Sequence, residues 1–173
     1  MRSNLRFVLE EPVYTVAHLK ETSLHMKNPV DNFVDKLQEQ IFEETRAAYG
    51  EEVFSRWQNP KFMGRMTNAS CLGRITGKCG DNMEIYLRIR NDHVEEANFF
   101  TDGCGASVAC GSMAAELATG KHLDDAACIG GDTILEALKG LPEDDTHCAF
   151  LAAEALTAAI HEWMFAQSES ENP

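Results

Sequence analysis

With 173 residues the chain is long enough for one compact domain with an appended segment, and it needs no disulfide staples to bury a core. Its formal charge is -13, and its 15 Lys and Arg are scattered rather than clustered, which argues against a nucleic-acid partner because phosphates require grouped cations. No apolar run approaches membrane-spanning length and no secretory h-region opens the chain, so a soluble cytoplasmic protein with no membrane partner is expected, and its six cysteines point to metal binding, thiol chemistry or packing rather than disulfides.

Residues 1–27 lack clear periodicity and form an N-terminal segment of uncertain order. Met26 stands just before Asn28-Pro29-Val30-Asp31, which raises the expectation that translation begins there; intact mass of the native protein tests it. Asn28 can cap a helix, Pro29 suits its first position and Asp31 reinforces its start. Phe33, Val34, Leu37, Ile41, Phe42, Ala48 and Tyr49 then recur at helical spacing as far as Gly50. This predicts an N-terminal helical extension over 28–49 whose apolar stripe packs in the core. EEVFSRWQNP predicts a second, short helix ended at Asn59-Pro60.

The pattern then changes. In MEIYLRIR, Met83, Ile85, Leu87 and Ile89 alternate with polar or amphipathic residues, the period-two signature of a strand with one buried face. Asn91-Asp92 signals a hairpin and HVEEANFFT the returning strand, whose broken alternation predicts a bulge near the turn. Ser70 to Lys78 supplies a third antiparallel strand.

Helices follow: Ser107 to about Ala118 closed by Gly120, Asp132 to Lys139 closed by Gly140, and Thr146 to about Ala166, with Phe150, Leu151, Leu156, Ile160, Trp163 and Met164 as its core stripe. A polar tail, 167–173, ends the chain. Helices, then a small meander, then helices define an α+β fold. The main domain is expected over residues 50–166.

Three cysteines fall at element ends. Cys79 lies in Lys78-Cys79-Gly80-Asp81 at a strand turn, Cys104 in Gly103-Cys104-Gly105 between a strand and a helix, and Cys148 directly after His147 at the start of the last helix. Helix N-termini carry partial positive charge, which should favour the thiolates of Cys104 and Cys148. With Asp81 and His147 the set offers three soft sulfurs, one hard oxygen and one borderline nitrogen, suited to a single zinc or to an iron-sulfur cluster. Cys110 follows Cys104 by six residues, about 9 Å along a helix and beyond the reach of a disulfide. Cys110, Cys71 and Cys128 are read as packing residues.

Taken in order, GEEVFSRWQNPKFMGRM, GKCGDNMEIYL, FFTDGCGASVACGS and GLPEDDTHCAFLAAEALTAAI closely resemble the U-type iron-sulfur cluster assembly scaffolds, IscU and the N-terminal part of NifU. The resemblance covers about Gly50 to Phe165. It implies a three-stranded antiparallel sheet packed against helices, with the N-terminal helix as an extra element. It also implies a non-enzymatic scaffold that accepts sulfur from a cysteine desulfurase, builds a transient [2Fe-2S] cluster and passes it to recipient apoproteins, as a monomer or a cluster-bridged dimer. By matching motif, the family's cluster ligands fall on Cys79, Cys104 and Cys148, with Asp81 and His147 as auxiliary or exchangeable positions. The family's chaperone-recognised stretch, Leu-Pro-Pro-Val-Lys, corresponds here to Leu141-Pro142-Glu143-Asp144-Asp145; only Leu-Pro remains, so dependence on that chaperone is not expected.

Two alternatives stand beside this one. A zinc-binding persulfide acceptor of the same fold shares the Cys-Gly-Asp and Gly-Cys signatures, but that branch typically carries an insertion before the last cysteine and lacks the preceding His. This chain has no evident insertion and retains His147. Zinc can still occupy the site in purified protein, since three thiolates and one Asp or His suit tetrahedral coordination. A cysteine enzyme built on Cys148 and His147 is disfavoured, because adjacent residues at a helix start project about 100° apart.

Overall fold

In the computed structural model residues 28–170 are described; the segment 1–27 with Met26, and the last residues of the polar tail, lie outside the described residues. The elements are α1 (Pro29–Gln58), β1 (Cys71–Thr76), β2 (Asn82–Arg90), β3 (His93–Thr101), α2 (Gly105–Ala118), α3 (Leu123–Ala127), α4 (Gly131–Ala137), a 3-10 turn (Glu143–Asp145) and α5 (His147–Ser170). By internal contacts the chain divides into two units, residues 1–39 and 40–173. No described helix is long and apolar enough to cross a membrane.

The sheet in the second unit has the order β1-β2-β3, all antiparallel. Met83, Ile85, Leu87 and Ile89 are buried as the alternation predicts, together with Cys71, Val94, Ala97 and Phe99 on the flanking strands, but Glu84 and Tyr86 are buried too, so the central strand is covered on both faces over that stretch. Asn91 and Asp92 both have positive φ, 51° and 59°, as a two-residue hairpin turn of the right twist requires. Arg88 then pairs with Glu96 while Ile89 pairs with Val94, so Glu95 is the extra residue of the expected bulge. On the opposite, polar face, Glu84 accepts from Arg65 Nε at 3.0 Å and from the Tyr86 hydroxyl, and pairs with Arg74 at 2.7 Å. The Arg65 guanidinium lies 3.9 Å from the centre of the Phe100 ring.

Both sheet edges have partners. Along β3 the Phe99 N–H donates to Phe62 O at 3.0 Å and the Val94 N–H to Lys121 O at 2.9 Å. At β1 the outward Leu72 N–H donates to the Glu162 carboxylate of α5 at 2.6 Å.

Helices α2 and α5 cover the apolar face. Close approach is possible because small residues meet there: a Cβ on Gly73 would stand 2.0 Å from Ala155 O, and Ala149, Ala152, Ala155 and Ala159 are all fully buried. The expected α5 stripe is therefore corrected in part. Leu151, Leu156 and Ile160 are buried, but Phe150 and Met164 are exposed, because alanines take the sheet-facing positions and Phe150 lies over the Gly131 backbone instead. Helix α3 was not legible in sequence; five residues are too few to establish a helical period.

Helix α1 starts as predicted. Asn28 Oδ1 accepts the N–H groups of Val30 and Asp31 at 2.8 and 2.9 Å, and Asp31 Oδ2 accepts that of Asn28 in return. The expected stop at Gly50 is a break inside one element, where φ is 78° and ψ 168° before the helix resumes. The apolar stripe departs from expectation. Val30, Phe33, Val34 and Leu37 in the first unit, and Ile41 in the second, are exposed, and continuous burial begins only at Val53 and Phe54. Within the second unit the sheet's apolar face is already taken by α2 and α5.

Candidate metal centre

The turn carrying Cys79 closes on itself through Gly77 N–H to Asp81 O at 2.8 Å and Gly80 N–H to Gly77 O at 3.0 Å, with Gly80 at φ 93°. That geometry leaves Cys79 exposed, in an open hollow of about 700 Å³ that His147, Phe150 and Glu154 also line. The same turn aims Asp81 at the start of α2.

Cys104 is the residue that caps α2, in an extended conformation. A thiol caps poorly, and Asp81 does the work from outside the helix: its Oδ2 accepts the Cys104 N–H at 3.3 Å and the Ser107 hydroxyl at 2.8 Å. Gly103 makes room, since a Cβ there would lie 2.3 Å from that carboxylate oxygen.

Ser107 is a hub that sequence reasoning missed. Its fully buried Oγ lies 3.4 Å from Cys148 Sγ and 3.7 Å from Cys104 Sγ as well as 2.8 Å from Asp81, so one hydroxyl ties three elements together. The available signal was its place one helical turn after Cys104.

Cys148 is fully buried at the start of α5, and here the structure corrects an expectation. Burial pushes its thiol up to about 12; the Ser107 hydroxyl pulls the other way, and the charges of Cys104 and Asp145 add to the rise. Desolvation therefore outweighs the helix terminus, and a metal that displaces the proton would have to make the thiolate.

His147, exposed beside it, has Nδ1 at 2.8 Å from Asp144 O. A carbonyl cannot donate, so Nδ1 carries the hydrogen and Nε2, 3.6 Å from Cys148 Sγ, keeps a lone pair for a metal.

Among the described residues one group of metal-binding side chains lies close enough to share an ion: Cys104, Asp145 and Cys148, whose ligand atoms are all within 4.8 Å of one another. Asp145 was not singled out in the sequence. Its carboxylate accepts the Tyr49 hydroxyl at 2.8 Å, from the kinked part of α1 within the second unit. Tyr49 and Asp145 also border a cavity of about 250 Å³, walled by Phe54 and Trp57, that reaches Cys104. Of the five predicted site residues, Cys104 and Cys148 thus converge, Asp81 joins them through Ser107, His147 flanks Cys148, and Cys79 stands apart in the neighbouring hollow.

The remaining cysteines divide. Cys71 and Cys110 are buried as expected; burial pushes Cys71 up to about 12, with the Glu162 charge adding, and raises Cys110 further. Cys128 is not a packing residue: it ends the short α3 and is exposed.

Fold and site together define a small α+β domain that presents thiols and a carboxylate at the ends of its elements, a donor set of the kind that could hold a metal ion. The NifU-like N terminal domain family matches residues 48–170. Over 113 residues the chain is 42% identical to iron-sulfur cluster assembly scaffold protein IscU 1 of Archaeoglobus fulgidus, covering 65% of this chain and 74% of that one. It is 34% identical over 123 residues to iron-sulfur cluster assembly scaffold protein IscU of Escherichia coli K12, covering 67% of this chain and 94% of that one. In backbone it resembles the crystal structure of the N-terminal part of a NifU-like protein from Brucella abortus, with a TM-score of 0.55, 18% identity, and 70% and 97% of the two chains covered. The chain belongs to the NifU-like N-terminal domain family, whose relatives here include the IscU scaffolds.

Proposed function

We propose that this chain is a scaffold on which iron and sulfide are assembled into a transient [2Fe-2S] cluster that is then handed to recipient apoproteins. The observation that carries the reading is the convergence of Cys104 and Cys148 with a carboxylate, at element ends, in a chain 42% identical to a scaffold of that kind. The cluster is cargo. Cys79, Cys104 and Cys148 are its proposed thiolate ligands, and Asp81 and His147 the exchangeable ones. Their setting suits temporary binding: Cys79 rides on an exposed glycine turn and Cys104 is exposed, whereas Cys148 is anchored in the core. Three thiolates with an exchangeable fourth ligand hold a cluster less firmly than four thiolates do, which permits release. The sulfur donor in this reading is a cysteine desulfurase.

The test is anaerobic reconstitution of the full chain with ferrous iron, a cysteine desulfurase and cysteine, followed by visible and Mössbauer spectroscopy. Thiolate-to-iron charge-transfer bands, and their loss in C79A, C104A and C148A, are expected. Stoichiometric zinc with no such bands would overturn the reading in favour of the zinc-binding sulfur-transfer protein.

A further inference from the structure

We infer that Asp145 is a metal ligand of this chain, forming with Cys104 and Cys148 a three-donor seat for a single ferrous ion. This deepens the scaffold reading and rests on it for the identity of the ion as cargo. The argument starts from the turn between α4 and α5. Asp145 N–H donates to Pro142 O at 2.9 Å, Thr146 Oγ1 to Glu143 O at 2.9 Å, and His147 Nδ1 to Asp144 O at 2.8 Å, so consecutive local hydrogen bonds fix the backbone that presents Asp145. From that turn the carboxylate reaches the two sulfurs, all three ligand atoms lying within 4.8 Å of one another. Donors bound to one tetrahedral ion at about 2.0–2.3 Å stand roughly 3–4 Å apart, so small side-chain rotations close the seat.

The two carboxylates near the sulfurs are differently placed for this task. Asp81 Oδ2 is engaged by Ser107 and by the Cys104 N–H, and its carboxylate lies outside the group of ligand atoms within 4.8 Å of one another, which suits it to the exchangeable position rather than to the seat. Asp145 is held by the Tyr49 hydroxyl at 2.8 Å, and a carboxylate with one oxygen so held still offers the other. A phenol hydrogen bond of this kind orients a ligand, as outer partners of metal-binding carboxylates do. Two sulfurs and one oxygen suit a borderline divalent ion such as Fe2+, and they leave a position open for His147, Cys79 or incoming sulfide. Each thiol gives its proton to solvent as the sulfur binds, and Asp145 contributes its negative charge without a proton to lose.

The probe is Co2+ alone, titrated anaerobically into the full reduced chain and followed by its thiolate charge-transfer and d–d bands. Wild type is expected to take up one ion with tetrahedral d–d intensity. D145N should weaken binding by roughly tenfold or more and change the d–d bands, and Y49F should weaken it less, by a few-fold. D144N and E143Q remove the same charge from the same turn without touching the sulfurs, and they should differ from wild type by less than D145N does. D145E, which keeps the ligand on a longer arm, should recover part of the affinity, so a general loss of fold is distinguished from loss of a ligand. Unchanged Co2+ affinity and bands in D145N, or equal losses in D145N and D144N, would overturn the assignment while leaving cluster assembly by wild type, and the scaffold reading, intact. Failure of wild type to assemble a cluster, with the Co2+ results as expected, would remove the scaffold reading and leave the ion seat standing.

Discussion

Ser107 donates its hydroxyl hydrogen to Asp81 Oδ2 at 2.8 Å, across 26 positions of sequence and between a strand turn and a helix start. The same oxygen accepts the Cys104 N–H at 3.3 Å and so satisfies one backbone donor at the α2 terminus that the Cys104 thiol does not. S107A should lower stability by about 1–2 kcal/mol through loss of a hydrogen bond to a charged group, read by urea unfolding with an unchanged slope. D81A should lose a similar amount, and the double variant less than the sum, because both remove one interaction. In cluster-loaded protein, D81A should also slow transfer to an apo-ferredoxin; an unchanged half-time would count against Asp81 as the exchangeable ligand.

Thiol accessibility gives a second prediction. Cys79, Cys104 and Cys128 are exposed and Cys71, Cys110 and Cys148 buried, so alkylation of the native chain at mild pH should label the first three quickly and the others only in urea. Mass spectrometry of peptides reads the pattern. Early labelling of Cys110 would contradict it.

Alkaline stability should follow from two of the buried thiols. Cys71 is raised from 9.0 to about 12 by burial, and Cys110 is raised as well, so both stay neutral in the folded state where the unfolded chain would ionise them. The stability this gives is full below pH 9.0 and is lost as pH climbs toward 12. A C71A/C110A variant should be less stable near neutrality because of lost packing, but its stability should fall less steeply between pH 9 and 10.5, as urea midpoints would show.

Acid stability has a different owner. Burial alone would raise the Glu84 carboxyl, but hydrogen bonds from Arg65 and Tyr86 and the charges of Arg65 and Arg74 outweigh it and hold it below its usual 4.5. The contribution of this group is therefore present above pH 4.5 and disappears as pH falls through the lowered value. E84Q should flatten the acid limb of the stability profile in that range. A limb as steep as that of wild type would assign acid unfolding to other carboxylates.

The contact between β1 and α5 is a close backbone approach, and G73A should reveal it. A Cβ there would meet Ala155 O at 2.0 Å and Ala159 N at 2.5 Å, both backbone atoms that cannot rotate away. A loss of about 1–3 kcal/mol is expected, together with weaker Co2+ binding because α5 carries Cys148. By contrast Gly50 has open space around it, but its φ of 78° and ψ of 168° lie where only glycine is at ease, so G50A should cost about 1–3 kcal/mol through backbone strain alone.

The sheet was legible because its signals are local. The alternation from Met83 to Ile89, the Asn91-Asp92 turn and the faltering pattern around Glu95 each lie within a few residues of what they specify. The cap at Asn28 is local too. The site was legible only in its cysteines. Asp145 reaches Cys104 through the packing of α5 against α2, and its partner Tyr49 stands 96 positions earlier, distances over which no spacing rule operates. The Cys148 expectation failed for the same reason: a helix start is visible in sequence, but the depth at which that start is buried is a property of the assembled core. On α1 the stripe from Phe33 to Ile41 has the period of a core helix, yet periodicity reports which face is apolar and not what that face meets.

A three-stranded sheet has two borders at which a foreign strand could dock, and this one denies both. The Phe62–Gly64 loop and Lys121 occupy amides and carbonyls along β3, while on the far side the Glu162 carboxylate takes the Leu72 N–H and sets a negative charge at the open border of β1. In the scaffold reading proposed above, a chain that exposes reactive sulfurs meets its partners at close range, and an unguarded border would let such meetings nucleate fibrils. By that logic Glu162, outside the group that Cys104, Asp145 and Cys148 form, guards the border of β1 against strand addition.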